Sequence, residues 1–182
     1  MMHEVTSLTS HLGSRNEAGA INEAFSDIMG TAVEFFFQEP GDGLLKADYL
    51  IGEDVADPPL AGFNRSLEDP QRFGDPDHLS KRVAGSADNG GVHTNSLIVS
   101  HAYYLAVEGG TNRTSGVAVQ GVGRARQQEM TEVFFRAFAF LLPSNSTFSL
   151  ARLATIQSAR DLDPSGGLAS AVTQAWDAVG VR

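Results

Sequence analysis

The segment from Ala18 to Gln38 constrains the fold most, because its apolar and acidic residues recur at helical spacing on two separate faces. Glu23, Asp27 and Glu34 stand at i, i+4 and i+11, so they share a narrow arc of one helix. The opposite arc is apolar and carries Ile21, Phe25, Ile28, Met29 and Ala32. Carboxylates stacked along a largely buried helix repel one another and are costly to desolvate. This face therefore needs cations, hydrogen-bond donors or a metal ion beside it.

The remaining sequence predicts further helices around one long irregular region. Apolar spacing and stop signals predict helices at Met2–Ser10, His93–Glu108, Arg124–Leu142, from near Ser149 onward, and at Leu168–Ala178. The region from Glu39 to Ala87 holds most of the prolines together with recurring aromatic and aliphatic residues, which indicates ordered irregular structure. With 182 residues and 42% hydrophobic content, we expect one mainly α domain, a helical bundle with a long loop-rich insertion.

Composition excludes several classes of function. The formal net charge of −9 argues against nucleic-acid binding through general electrostatics and is compatible with cation binding. No apolar run is long enough to predict a membrane span. The chain has no cysteine, so disulfides cannot stabilise it. The N-terminus lacks a basic segment followed by an apolar one, and we expect no signal peptide in this sequence.

Two short polar motifs are candidates for chemistry, and each also has a plain structural interpretation. The pair His3-Glu4 is a weak signal on its own, because a two-residue match at a terminus is frequent by chance. Asp88 and His93 flank an Asn-Gly-Gly turn, which would place His93 at a helix start with Asp88 near enough to orient its ring. By itself that motif indicates a helix cap followed by a surface histidine.

Several longer blocks together resemble one family. The blocks GAINEAFSDIMGTAVEF, IGEDV, GDPDHLSKR, DNGGVHTNS and QAWDAVGVR are similar to the C-terminal lobe of thermolysin-like neutral zinc metalloproteases. The resemblance covers nearly the whole chain. It implies a fold like the C-terminal domain of thermolysin over residues 1–182, with the strand-rich N-terminal lobe of the family absent.

The resemblance implies a zinc site on the first two helices. His3 and Glu23 resemble zinc ligands of the family, and Glu4 resembles the residue that takes a proton from zinc-bound water. Asp27 resembles the carboxylate that accepts a hydrogen bond from the ligand His3 and so fixes which imidazole nitrogen faces the metal. The resemblance makes the chain part of a zinc metalloendopeptidase with a peptide or protein substrate.

Three further residues take implied roles in the cleft. His93 resembles the residue that stabilises the tetrahedral intermediate, and Asp88 resembles the one that holds that histidine. Arg65 resembles the arginine that binds the substrate carbonyl. Read without the resemblance, Arg65 is a solvated surface cation.

A separate acidic group resembles the calcium loop of the family. Glu34, Asp48 and Glu53 supply clustered oxygen ligands, which suit calcium. Leu50 occupies a position that often carries another acid, so we expect at most one ion. The alternative interpretation is a solvated acidic loop.

The family pattern is His-Glu-x-x-His, but Ser7 stands where the second zinc histidine is expected, and a hydroxyl is a poor zinc ligand. We therefore expect weak or partial zinc binding and little or no peptidase activity of this chain. The alternative is a non-catalytic binding or scaffold domain derived from the protease fold. The resemblance also implies an extracellular protein, and an uncovered cleft face near Val5 and Leu8 favours a homo-oligomer.

Overall fold

The structure, a computed structural model, describes residues 2–54 and 65–182, and six α-helices dominate this part of the chain. The helices are α1 (Met2–Leu8), α2 (Asn16–Phe37), α3 (Asp88–Glu108), α4 (Gln127–Arg136), α5 (Phe148–Leu162) and α6 (Gly167–Ala178). Short 3₁₀ turns lie at Pro70–Phe73, Leu79–Lys81 and Arg124–Arg126. The expected mainly α architecture is confirmed.

Two small antiparallel sheets connect the helices. Strand β1 (Leu50–Ile51) pairs with β2 (Arg65–Ser66), and β3 (Gly110–Thr111) pairs with β4 (Ala118–Val119). In the first sheet Ile51 stands opposite Arg65. This pairing fixes the backbone of Arg65 beside the loop that the sequence assigns to calcium.

The packing of α2 against α3 is the most extensive contact between two described elements. Gly19 makes it possible, because a Cβ at this position would lie 2.6 Å from Cγ1 of Val92 and 2.7 Å from the carbonyl carbon of Ser14. Only glycine allows so close an approach. Glu23 lies one turn beyond Gly19 on α2, and His93 follows Val92 on α3, so this contact brings the two candidate site residues together.

The core lies between α2, α3 and the C-terminal helices. Its largest fully buried side chains include Trp176, Tyr103, Phe25, Phe134 and Phe138. Phe138 meets Phe25 and Phe134 with ring centroids 5.9 and 5.6 Å apart in edge-on geometry, which is a favoured arrangement for aromatic pairs. The helices that carry the candidate site are therefore anchored to a rigid interior.

Two predicted helices differ from the structure. The helix expected at His93–Glu108 begins at Asp88, but Asn89, Gly90 and Gly91 have φ of 52°, 99° and 75°, so the predicted turn interrupts its start. The prediction of one continuous helix over Arg124–Leu142 is wrong. It divides into a 3₁₀ turn, α4 and a π-helical segment at Ala137–Leu141.

Each end predicted for the other helices lies within two residues of the corresponding helix end in the structure. In the described part of the chain, no helix combines the length and apolar character that a membrane crossing requires. Val55, the last residue of the IGEDV block, lies outside the described residues.

Candidate active site

Glu23 lies between two imidazoles at the centre of the candidate site. Its Oε1 is 3.6 Å from Nε2 of His3, and its Oε2 is 3.5 Å from Nε2 of His93. The side chains of His3 and His93 are 51% and 55% exposed, whereas that of Glu23 is 22% exposed. A partly buried carboxylate is thus presented to two solvent-accessible histidines from different helices.

Each of these histidines is held at its other ring nitrogen. Nδ1 of His93 lies 2.6 Å from Oδ1 of Asp88, and the backbone N–H of His93 donates to Oδ2 of Asp88 at 2.9 Å. Although desolvation opposes it, these hydrogen bonds from His93 hold the pKa of Asp88 below its usual range. Nδ1 of His3 lies 3.2 Å from Oδ1 of Asn22, which also accepts a hydrogen bond from Thr6. Asn22 and Thr6 were missed by sequence reasoning, because neither belongs to a metal-site motif.

Ser7, which we expected at the position of the second zinc histidine, is hydrogen-bonded within α1. The hydroxyl of Ser7 donates to the backbone carbonyl of Glu4 in its own helix at 2.8 Å. Glu4 is exposed on α1, directly after His3. Of the residues that the resemblance implies as zinc ligands, the structure brings His3 and Glu23 together.

Asp27 binds Arg65. The guanidinium donates from Nε to Oδ2 at 3.0 Å and from Nη2 to Oδ1 at 2.5 Å, a two-point ion pair. Burial raises the pKa of Asp27, and the hydrogen bonds from Arg65 act in the opposite direction. The expected hydrogen bond from His3 to Asp27 is not among those of the described residues. The charges of Glu23 and His93 both act on Asp27, so the Asp27–Arg65 pair lies near these two residues.

The acidic group forms a second site at the far end of α2. One oxygen each of Glu34, Glu53 and Asp54 lie within 4.8 Å of one another. Glu34 and Glu53 each have one buried oxygen without a hydrogen-bond partner among the described residues. Burial, followed by the charges of Glu53 and Asp48, raises the pKa of Glu34 to about 7. Clustered and poorly solvated carboxylate oxygens of this kind fit a calcium ion.

The membership of the acidic group differs from the expected one. Asp48 stands close enough for its charge to act on Glu34, but its Oδ1 accepts the backbone N–H of Leu50 at 2.6 Å. Asp54, which belongs to the IGEDV block but was not among the predicted calcium ligands, is the third member of the tight group. Its position next to Glu53 after the Gly52 turn, where Gly52 has φ of 96°, is the signal that could have identified it.

Comparisons with known proteins identify the family of the chain. Residues 10–181 match the family described as thermolysin metallopeptidase, alpha-helical domain. The chain is 46% identical over 183 residues to a thermolysin of Alicyclobacillus acidocaldarius subsp. acidocaldarius, covering all of this chain and 32% of that protein. It is 44% identical over 184 residues to a bacillolysin of Bacillus cereus, covering all of this chain and 31% of that protein. The chain thus spans about a third of the length of the curated relatives it matches.

The chain superimposes on a solved structure with a TM-score of 0.74 at 29% sequence identity. That structure is the precursor of protealysin, a metalloproteinase from Serratia proteamaculans. The match covers 99% of this chain and 55% of that one. The family match, the relatives and the fold all identify the same kind of domain. The chain belongs to the thermolysin metallopeptidase family, whose α-helical domain it matches.

Proposed function

We propose that this chain forms the helical wall of the substrate cleft of a thermolysin-like endopeptidase, whose complete form hydrolyses peptide bonds. The observation that carries the proposal is the arrangement along α2, where Glu23 meets two imidazoles and Asp27, one turn later, holds Arg65. Zinc, when bound in a complete member of this family, supplies an activated water as the nucleophile. The substrate is a peptide or protein, and we propose an extracellular setting, in keeping with the relatives.

Arg65 is suited to bind a substrate carbonyl. Asp27 engages Nε and Nη2 of the guanidinium, and among the described residues no hydrogen bond involves Nη1, whose N–H groups can donate in the fixed plane of the fork. The Arg65 side chain is 26% exposed, so it reaches the surface while its charge stays compensated. A carbonyl oxygen that accepts from this group would be oriented and polarised.

His93 is suited to act on the intermediate where a complete metal set is present. Asp88 fixes the ring through Nδ1 and thereby directs Nε2 toward the cleft side of Glu23. A protonated Nε2 can donate a hydrogen bond to a developing oxyanion. Asp88 acts through His93 and is a positioning residue in this scheme.

Peptidase activity of this chain is expected to be impaired. The hydroxyl of Ser7 is bound within its own helix, so the family position offers no third metal ligand. The same observation favours the second candidate function, a non-catalytic binding domain that has kept the protease fold. We propose calcium as the other ion of the domain, held by Glu34, Asp48, Glu53 and Asp54.

Hydrolysis of casein and of a furylacryloyl dipeptide tests the proposal. We expect background rates for the chain with added zinc. The Ser7→His variant should retain more zinc after dialysis, with a smaller gain in activity, because one cleft wall cannot position a substrate alone. Robust zinc-dependent proteolysis by the unmutated chain would contradict the proposal that its peptidase activity is impaired. A Ser7→His variant that gains no zinc affinity would contradict the assignment of the metal site.

A further inference from the structure

A cavity of about 290 Å³ lies between α3, the segment 68–70 and strand β3. None of its lining residues belongs to the candidate active site or to the acidic group around Glu34. The polar and charged side chains of the lining belong to Glu68, Asp69, Asp77, His101, Tyr104 and Arg113.

His101 has an unused hydrogen-bond acceptor in the wall of this cavity. Its Nδ1 lies 2.8 Å from the carbonyl oxygen of Leu67 and donates to it, so in the neutral ring Nδ1 carries the proton. The residue is only 4% exposed, and burial lowers the pKa of the imidazole, although the charges of Asp77 and Asp69 act in the opposite direction. Nε2 then has a lone pair, and no group among the described residues donates to it. Buried acceptors rarely lack a donor, so this nitrogen indicates a donor that enters the cavity.

Two carboxylates of the lining are held in place by the fold. Asp77 accepts hydrogen bonds from the backbone N–H of Thr114, at 3.0 Å from Oδ2, and from the hydroxyl of the same residue. Arg113 donates to Oδ2 of Asp69 at 2.5 Å. Lys81, which is not part of the lining, lies 3.9 Å from Oδ1 of Asp77. Asp69 and Asp77 therefore already have partners.

Glu68 is the carboxylate of the lining that is available to a ligand. It is exposed, and its carboxylate has one hydrogen bond within the described part of the chain, from the hydroxyl of Tyr104 at 3.3 Å. Burial and the charge of Glu68 raise the pKa of Tyr104 to about 12, so this hydroxyl keeps its proton. The rings of Tyr104 and His101 are stacked, with centroids 5.9 Å apart and an interplanar angle of 9°. Tyr104 thus stands next to both the free anion and the unused acceptor.

We propose that this cavity binds an alkylammonium ion, the group of small amines and of the lysine side chain, with Nε2 of His101 as a hydrogen-bond acceptor and Glu68 as the counter-charge. An ammonium has three N–H donors and no acceptor, so it complements a lone pair and a carboxylate. Hydrogen bonds to a charged group are also about twice as strong as neutral ones. Pro70 and Leu105 in the lining supply apolar surface for the alkyl chain.

The size and the donor set of the cavity favour a small organic cation over a metal ion. A volume of about 290 Å³ is near the lower end of the range for small-molecule sites, which begins at about 300 Å³. A metal ion needs several ligand atoms close together. Among the described residues, only Glu34, Glu53 and Asp54 place three such atoms within 4.8 Å of one another, and they lie outside this cavity.

Nitrogen NMR of the chain labelled with ¹⁵N-histidine tests the proposal, and His101→Asn identifies the resonances of His101. At constant ionic strength, n-butylammonium should shift the Nε2 resonance and saturate with a Kd of about 1–10 mM. Tetramethylammonium has the charge but no N–H donor, so it should produce a smaller shift that does not saturate. An equal, saturable shift with tetramethylammonium would overturn the hydrogen bond to Nε2. No saturable shift up to about 100 mM n-butylammonium would overturn the site.

Two exposed glutamates provide a matched pair of variants that remove the same charge. Glu68→Gln should weaken n-butylammonium binding about fivefold or more, because it removes the counter-charge. Glu132→Gln, on the exposed side of α4 and outside the cavity, should leave the Kd unchanged. Equal effects of the two variants would overturn the assignment of Glu68.

A second ligand identifies the source of the ammonium group. Nα-acetyllysine N-methylamide represents a lysine side chain of a peptide, whereas n-butylammonium represents a free amine. Tighter binding of either one supports the site and identifies that source. Failure of both to bind would contradict the proposal, and it would not bear on whether the complete protein is a peptidase.

Discussion

Calcium should stabilise this domain, and the effect should depend on pH. Glu34 has a pKa of about 7, raised first by burial and then by the charges of Glu53 and Asp48. A raised carboxyl pKa means that the folded state binds the proton more tightly than the unfolded state. Without calcium, the free energy of unfolding should therefore fall as pH rises from about 4.5 to about 7. Calcium reverses this cost, since it replaces the proton as the positive charge within the group.

The magnitude follows from mass action. With 10 mM calcium and a dissociation constant of about 0.1 mM, at the tight end of extracellular modules, binding adds about 2.7 kcal/mol at pH 8. For a chain of this length, that corresponds to a rise in Tm of about 5–10 °C. At pH 6 about one tenth of Glu34 is deprotonated, so the affinity falls about tenfold and the rise should be about half as large.

Thermal melts at pH 6 and pH 8, each with 10 mM calcium, 10 mM magnesium or chelator, measure the effect. Asp54→Asn should abolish the calcium response, because Asp54 belongs to the tight group, and Asp48→Asn should reduce it. Glu39→Gln should leave the response intact, because Glu39 is exposed and outside the acidic group. If calcium does not raise the Tm of the unmutated chain, the proposed calcium site is wrong. A full response in Asp48→Asn would show that Glu34, Glu53 and Asp54 bind the ion without Asp48. A response equal at both pH values would refute the role of the Glu34 proton.

Three further substitutions test the framework of the domain, and urea unfolding followed by the fluorescence of the single tryptophan measures all three. Asp27→Ala leaves the guanidinium of Arg65 without its two-point partner and should lower the free energy of unfolding by about 3–5 kcal/mol. A loss below 1 kcal/mol would mean that water replaces the carboxylate as the partner of Arg65. Gly121→Ala would place a Cβ against the backbone nitrogen of Gly109 and should lower the free energy of unfolding by about 3 kcal/mol. Gly30→Ala, in an open helical position, should raise it by about 0.5–1 kcal/mol. Equal effects of the two glycine changes would contradict the close approach.

The helices could be predicted because their apolar spacing is a local property of the chain. Phe134 and Phe138 repeat at i, i+4 and are both fully buried, as the pattern requires. The π-helical segment at Ala137–Leu141, which contains Phe138, could not be predicted, because the hydrogen-bond register of the backbone leaves no distinct side-chain pattern. Its result is visible in Phe140, which is 64% exposed although it continues an apolar run.

The sequence could predict which residues belong to the candidate site, but not which of them contact one another. Spacing alone places Glu23 and Asp27 on one face of α2. Spacing does not identify Arg65, 38 residues later, as the partner of Asp27. That contact depends on how the β1–β2 pair packs against α2. The partner of His3 is Asn22, the residue just before Glu23, and nothing in a metal-site motif singles out an asparagine there.

The acidic face of α2 shows why two ion sites fit one helix. Each carboxylate needs compensation, and the structure provides it differently along the face. Asp27 receives a guanidinium, and Glu23 receives two imidazoles. Glu34 is instead surrounded by other carboxylates, and its pKa is the one raised to about 7. An arginine neutralises a carboxylate permanently, whereas imidazoles and carboxylates do so only with an added proton or metal ion. The two ends of the face that lack a permanent cation, at Glu23 and Glu34, are therefore the places where metal binding should couple to stability and to pH.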